Sequence, residues 1–193
     1  MSTVIMHNVV SVDGYIADAD DDVGPLFEWY TNGDVPLDDS GGLTVSRVSA
    51  DYVRPMWDQI GVLVIGRHLF DITNGWEGNP PAGEHVVVVS QRDKPNSWHP
   101  EASYHFISGV SEAVETAKRL ADGRVVGIAA GDVGGQAFAS GLVDEVAMDV
   151  APVVFGSGKR YFGGVDGQHL LENPDVVIQG DRVLHLRFRV RRD

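Results

Sequence analysis

Three places in the chain set small or basic residues directly after an apolar run, and the first two are suited to an anion. Val62-Leu63-Val64-Ile65 ends in Gly66-Arg67-His68-Leu69-Phe70-Asp71. If the run is a buried strand entering a helix, the free N–H groups and positive dipole end favour an anion, with Arg67 and His68 standing where it arrives. A charged hydrogen bond contributes about 1.5–3 kcal/mol, roughly tenfold to hundredfold in affinity, enough to tell a phosphate from a hydroxyl. Val86-Val87-Val88-Val89 ends in Ser90-Gln91-Arg92, again suited to a phosphate or a ribose. Val125 to Ala129 runs into Ala130-Gly131-Asp132-Val133-Gly134-Gly135, where small residues let a ligand approach the backbone closely. For the first of these, a glycine turn with an arginine in solvent is the alternative. The first two together point to an elongated phosphorylated ligand lying across strand ends, where open α/β sheets collect their ligands.

Other chemistries fit poorly. Zero cysteines exclude a thiolate metal site, a disulfide and a cysteine nucleophile, and the seven histidines show no H-E-x-x-H spacing. There is no G-x-S-x-G elbow and no G-x-G-x-x-G fingerprint, and the Walker-like tail Gly156-Ser157-Gly158-Lys159 has Val153 where the first glycine belongs. Asp18, Asp20 and Asp22 have calcium-loop spacing, but Val23 replaces the required glycine and Trp29 the required glutamate, which leaves a solvated loop.

Short Val- and Ile-rich runs alternate with helical patterns, which implies strand-helix-strand units around a mainly parallel sheet. Strands are expected at Val4–Val10, Gly61–Ile65, His85–Val89, Tyr104–Ile107, Arg124–Ala129, Glu145–Val154, Asp175–Gln179 and Arg182–Arg191. Ser111 is expected to cap a helix with Ala113, Val114, Ala117 and Leu120 on one stripe, and a second helix should run from Asp132 to Ser140. A third lies between Ser49 and Gln59, where Pro55 should force a late start or a bend. Asp18 to Leu43 reads as a long loop or short helices. In the tail, Gly180-Asp181 turns a hairpin that places Leu184, Leu186, Phe188 and Val190 on one face and His185, Arg187, Arg189 and Arg191 on the other, expected to be wet.

At 193 residues, one domain is expected. The net charge of −13 repels phosphate backbones and anionic lipid, so neither nucleic acid nor a membrane is an expected partner. With no signal peptide or apolar span in the sequence, a soluble cytoplasmic protein is expected. Five arginines nonetheless crowd into Arg182–Asp193.

Ser11-Val12-Asp13-Gly14-Tyr15-Ile16-Ala17, the Gly66–Asp71 turn, Ser90-Gln91-Arg92, Gly141–Glu145 and Ala151–Phe162 together resemble the dihydrofolate reductase superfamily. More narrowly they resemble the branch holding the reductase domain of riboflavin biosynthesis, in consistent order over nearly the whole chain. The resemblance implies a single α/β domain over residues 1–193: a central, mostly parallel sheet flanked by helices, with an antiparallel C-terminal hairpin. It also implies an NADPH-dependent oxidoreductase, acting on a small heterocyclic molecule, and a homodimer. Gly66, Arg67 and His68 would meet the cofactor's pyrophosphate and 2′-phosphate side, and Ser90, Gln91 and Arg92 the adenosine 2′-phosphate. Ala130, Gly131, Asp132 and Val133 would meet the pyrophosphate and nicotinamide side. Val9 and Ile16 would frame the nicotinamide ring, beneath a loop shaped by Asp13 and Gly14.

Two departures from the family pattern stand out. Ala130-Gly131 replaces a common Gly-Gly pair, and the carboxylate that folate reductases carry on their first long helix has its nearest match, by spacing from Gly66, in Asp51. Asp51 is the candidate for anchoring or protonating the substrate, a first-turn helix charge being the alternative. Trp76, Trp57 and Phe27 are candidates to wall the pocket, with core packing the alternative for Trp57, and Lys159 and Arg160 are candidates to meet a substrate phosphate, with a solvated turn the alternative. A protein that keeps the fold and binds a nucleotide without turnover is the second expectation.

Overall fold

The computed structural model describes residues 2–37 and 41–191. In chain order its strands are β1 (Val4–Ser11), β2 (Tyr15–Ala17), β3 (Val35–Pro36), β4 (Thr44–Val45), β5 (Ile60–Gly66), β6 (His85–Val89), β7 (Tyr104–Ile107), β8 (Val125–Ala129), β9 (Glu145–Ala151), β10 (Lys159–Arg160), β11 (Val176–Gln179) and β12 (Leu184–Arg189). The α-helices are α1 (Arg47–Gln59), α2 (Arg67–Thr73), α3 (Val110–Ala121) and α4 (Asp132–Ala139), and a 3₁₀ segment covers Gly24–Thr31.

Among the described residues, eight strands form the main sheet in the order β11-β12-β9-β1-β8-β5-β6-β7. From β9 to β7 neighbours are parallel, while β12 runs antiparallel to both β9 and β11. The Val- and Ile-rich runs become central strands because both their faces are covered. On one face Val4, Met6, Val62, Val64, Val126 and Ile128 pack with Ala113, Ala117 and Ala137 of α3 and α4. On the other, Val9 meets Leu26, Trp29 and Tyr30 of the 3₁₀ segment and Ala50 and Val53 of α1, and Ile65 meets Phe70 of α2.

The sequence-based boundaries hold to within a few residues, with three differences. Pro55 lies inside an α1 that begins at Arg47 under a Ser46 cap, so the helix starts early. The cap of α3 is Gly109 rather than Ser111. The polar face of β12 is wet only in part: His185 is fully buried, while Arg187, Arg189 and Arg191 pair with Glu145, Asp175 and Glu172. Arg192, the fifth terminal arginine, lies outside the described residues. No described helix is long and apolar enough to cross a membrane.

Candidate functional site

The carboxyl ends of β1, β5, β6 and β8 lie side by side, because parallel pairing runs from β1 through β8 and β5 to β6. Contacts between these ends gather the residues singled out in the sequence. A Cβ built on Gly66 would stand 3.1 Å from Val133 Cγ2, and one on Gly131 would stand 3.3 Å from Ile16 Cδ1. Gly131 N donates to Tyr161 O (2.7 Å), and Tyr161 N donates to Gly14 O (2.9 Å), tying the start of α4 to the β1–β2 turn. Gly163 then presses on Asp132, where a side chain would meet Asp132 Cα at 2.8 Å. Asp13, Gly14, Tyr15, Arg160, Phe162, Gly163 and Val165 line an open groove of about 360 Å³ beside this junction.

Asp13 shapes the groove's rim. Its carboxylate accepts from Ser11 Oγ (2.6 Å), Phe155 N (3.2 Å) and Gly156 N (2.7 Å), which lowers its pKa, the Ser11 bond contributing most. Asp21 lies between His68 Nε2 (3.1 Å) and Lys159 Nζ (3.6 Å), so the acidic 18–22 loop closes against α2 and β10.

At the other end Arg67 and Arg92 converge on one carboxylate. Arg67 Nε donates to Asp71 Oδ1 and Arg92 NH2 to Asp71 Oδ2, both at 2.7 Å. These bonds, that of Arg67 first, hold the Asp71 carboxyl below its ordinary range. Arg67 NH1 also reaches Ser90 Oγ (3.3 Å), and its guanidinium lies over the rings of Phe70 and Phe106. Ser90 Oγ accepts from Arg92 N (2.9 Å) and donates to Arg92 O (2.6 Å), closing the turn, while Gln91 Nε2 binds Ser108 O.

Two expected residues sit elsewhere. Val9 is buried beneath the 3₁₀ segment, so its side chain frames no open surface. Asp51 is exposed on α1, whose Ser49 and Tyr52 face the sheet instead. The carboxylate sealed on that face is Asp149 of β9, held between His7 Nε2 (2.8 Å) and His185 Nδ1 (2.6 Å). Burial alone would raise the pKa of Asp149, but the two histidines outweigh it and hold it at about 2. The sequence does carry a signal for this residue, as Asp149 is a lone charge within the apolar run Val146 to Ala151.

The sheet, its flanking helices and its C-terminal antiparallel pair define a dihydrofolate reductase-like fold. The chain belongs to the RibD C-terminal domain family, whose model matches residues 2–185. A riboflavin biosynthesis protein from Shewanella sp. PV-4 is similar over the whole of both chains, with a TM-score of 0.73 at 18% identity. A Thermotoga maritima diaminohydroxyphosphoribosylaminopyrimidine deaminase/5-amino-6-(5-phosphoribosylamino)uracil reductase is similar to 98% of this chain (TM-score 0.63, 15% identity). The chain spans 56% of that longer protein. A pyrimidine reductase-like protein from Corynebacterium diphtheriae has a TM-score of 0.60 at 15% identity, covering 100% of this chain and 93% of its own. No curated protein sequence matches the chain.

Proposed function

We propose that the protein is an NADPH-dependent reductase acting on a C=N or C=O group of a small heterocyclic substrate, of the 5-amino-6-(5-phosphoribosylamino)uracil reductase type. The observation that carries this reading is the pair of guanidiniums, Arg67 and Arg92, brought together at the ends of β5 and β6 beside Ser90. Two cations at one strand edge in a chain of charge −13 form a local phosphate site against the general field. The residues present fit the cofactor. The arginines and Ser90 supply donors for a 2′-phosphate, and Gly131, at φ +100°, opens α4 with no Cβ between its backbone and a ligand at that strand end. The cofactor, when bound, supplies the hydride. The chain's own residues orient and enclose: Asp13 and Asp21 hold their loops over the strand ends, and Lys159 and Arg160 stand where a substrate phosphate would meet the groove. The protein works as a homodimer, a reading supported by the outer strand β11, which presents Val177 at 61% exposure. Sedimentation at micromolar concentration tests it.

Nicotinamide fluorescence on mixing the purified protein with NADPH and with NADH tests the main reading. Tighter binding of NADPH is expected, and binding of neither overturns it. The second reading, nucleotide binding without turnover, draws on Ala130 at the third junction and on the exposure of Asp51.

A further inference from the structure

Half of the buried polar residues among those described, Ser49, Asp149 and His185, belong to a single hydrogen-bonded chain. Ser46 Oγ donates to Ser49 Oγ (3.2 Å), and Ser49 Oγ lies 3.0 Å from His185 Nε2. His185 Nδ1 lies 2.6 Å from Asp149 Oδ1, and His7 Nε2 lies 2.8 Å from Asp149 Oδ2. The chain orders its own protons. An ionised carboxylate only accepts, so each imidazole turns an N–H toward Asp149. His185 directs its Nδ1–H at Asp149, and its Nε2 accepts from Ser49 Oγ. His7 keeps a proton on Nε2, which leaves Nδ1 as its uncommitted nitrogen.

Such a chain is expensive in the interior, where apolar residues of like volume often give equal or better stability. It also opens asymmetrically. His185 and Asp149 are sealed, at 0% and 2% side-chain exposure, whereas the His7 side chain is 20% exposed. His7 pairs with Ala129 of β8, and its carbonyl accepts from Ala130 N (3.3 Å), so it stands beside the strand end assigned above to the nicotinamide side. Trp29 packs edge-on against His185, and the titratable side chains beside Asp149 are phenols: Tyr30 from the 3₁₀ segment, Tyr52 from α1 and Tyr161 from beneath the sheet. Burial keeps all three neutral, and Arg187, Asp175 and Glu145 act from the outer side of Tyr52.

We propose that His7 is the acid of the reduction, with Asp149, His185 and Ser49 as the positioning residues that fix its tautomer and ring orientation. The inference rests on the reductase reading. Protonated His7 gives its Nδ1 proton to the nitrogen or oxygen of the C=N or C=O group while the carbon takes hydride from a reduced nicotinamide. The substrate is thereby reduced by two electrons, the nicotinamide is oxidised, and His7 is left neutral, to be protonated again from solvent.

The test uses the full chain and keeps the two readings apart. NADPH fluorescence should give wild type and His7→Gln the same affinity within about threefold, since His7 meets Ala130, assigned to the cofactor side, through its backbone carbonyl, which the substitution keeps. Wild type that binds no NADPH overturns the reductase reading and this proposal with it. In the NADP⁺ complex, where no hydride can move, 5-amino-6-(5-phosphoribosylamino)uracil should shift the His7 Nδ1 resonance in ring ¹⁵N spectra and leave His185 unmoved. A stationary His7 in protein that binds NADPH overturns the proposal alone. In single turnover with NADPH and the same compound, His7→Gln should slow reduction by about a hundredfold or more. Added imidazole should restore at least tenfold in His7→Ala, and Ser49→Ala should move the pH profile while NADPH affinity stays unchanged. An unaltered rate in His7→Gln, or no imidazole rescue, overturns it.

Discussion

Asp71 Oδ2 accepts a 2.7 Å hydrogen bond from Arg92 NH2, joining α2 to the turn after β6, and its other oxygen binds Arg67. A carboxylate thus occupies the two guanidiniums proposed to hold the 2′-phosphate. Orienting the exposed Arg92 and the largely buried Arg67 in this way contributes on the order of 1 kcal/mol, near the upper end for surface pairs. Repulsion of a phosphate dianion costs about 2 kcal/mol, taking ~1 kcal/mol per unit charge at 4 Å in water. Repulsion wins, so Asp71→Asn should tighten NADPH about fivefold or more and leave NADH unchanged. Arg67→Ala or Arg92→Ala should weaken NADPH at least about tenfold more than NADH. Fluorescence titration with both nucleotides decides, and equal losses would mean that the 2′-phosphate binds elsewhere.

The strand ends were legible because buried parallel strands read as continuous apolar runs, and Gly66, Ser90 and Gly131 punctuate them plainly. What lay beyond the sequence was pairing across the sheet. His185 and Arg187 alternate with Leu184, Leu186 and Phe188, so periodicity assigns both to one polar face. Only the covering of β12 by α1 and the 3₁₀ segment buries one and leaves the other half-exposed. Spacing along the chain singles out Asp51 but cannot tell which side of α1 meets the sheet. Asp71 was visible in the Gly66–Asp71 motif, yet its bond to Arg92 joins residues 21 apart and depends on β5 and β6 being neighbours.

The Asp149 carboxyl, depressed to about 2 from 3.8, makes stability depend on pH. A folded value below the unfolded one stabilises the fold above about pH 4, and the contribution disappears as pH falls through about 2. Its size is on the order of 2 kcal/mol. Asp149→Asn should cost about 3–5 kcal/mol at pH 7, because two histidines lose their shared partner. The gap between variant and wild type should narrow toward pH 2. Urea unfolding at both pH values measures it, and a gap independent of pH would contradict the ionised pair.

Gly163 has φ +56°, and a Cβ there would meet Asp132 Cα at 2.8 Å and Gly131 O at 2.9 Å. Gly164 has nothing within 4 Å of the same position. Gly163→Ala should therefore lower stability by about 1–3 kcal/mol and weaken NADPH by pushing the 160–163 segment off α4, whereas Gly164→Ala should be near neutral. Thermal melts and NADPH titrations on the two variants provide the comparison.

Four consecutive residues, Asn74 to Glu77, hold left-handed backbone with φ between 46° and 54°. Three of them are not glycine, and each such residue costs about 1–2 kcal/mol, so the surroundings must impose the turn. Tyr104 Oη donates to Gly75 O (2.8 Å), Trp98 Nε1 donates to Asn74 Oδ1 (3.0 Å), and Glu77 binds both Asn74 Nδ2 (2.7 Å) and His99 Nε2 (3.0 Å). The Tyr104 bond is the buried one, and burial pushes its phenol up to about 12, so it remains a donor throughout the neutral range. Tyr104→Phe keeps the ring that packs on Phe70 and Trp98 but leaves the Gly75 carbonyl without its partner, at a cost of about 1–3 kcal/mol. Hydrogen exchange at residues 74–78 should accelerate more than exchange in β5 or β6. Gly75→Ala should be worse, since its Cβ would press into the Trp98 and Phe70 rings at 2.6–2.7 Å. Equal protection of the turn in wild type and Tyr104→Phe would show that the Trp98 and Glu77 bonds suffice to hold it.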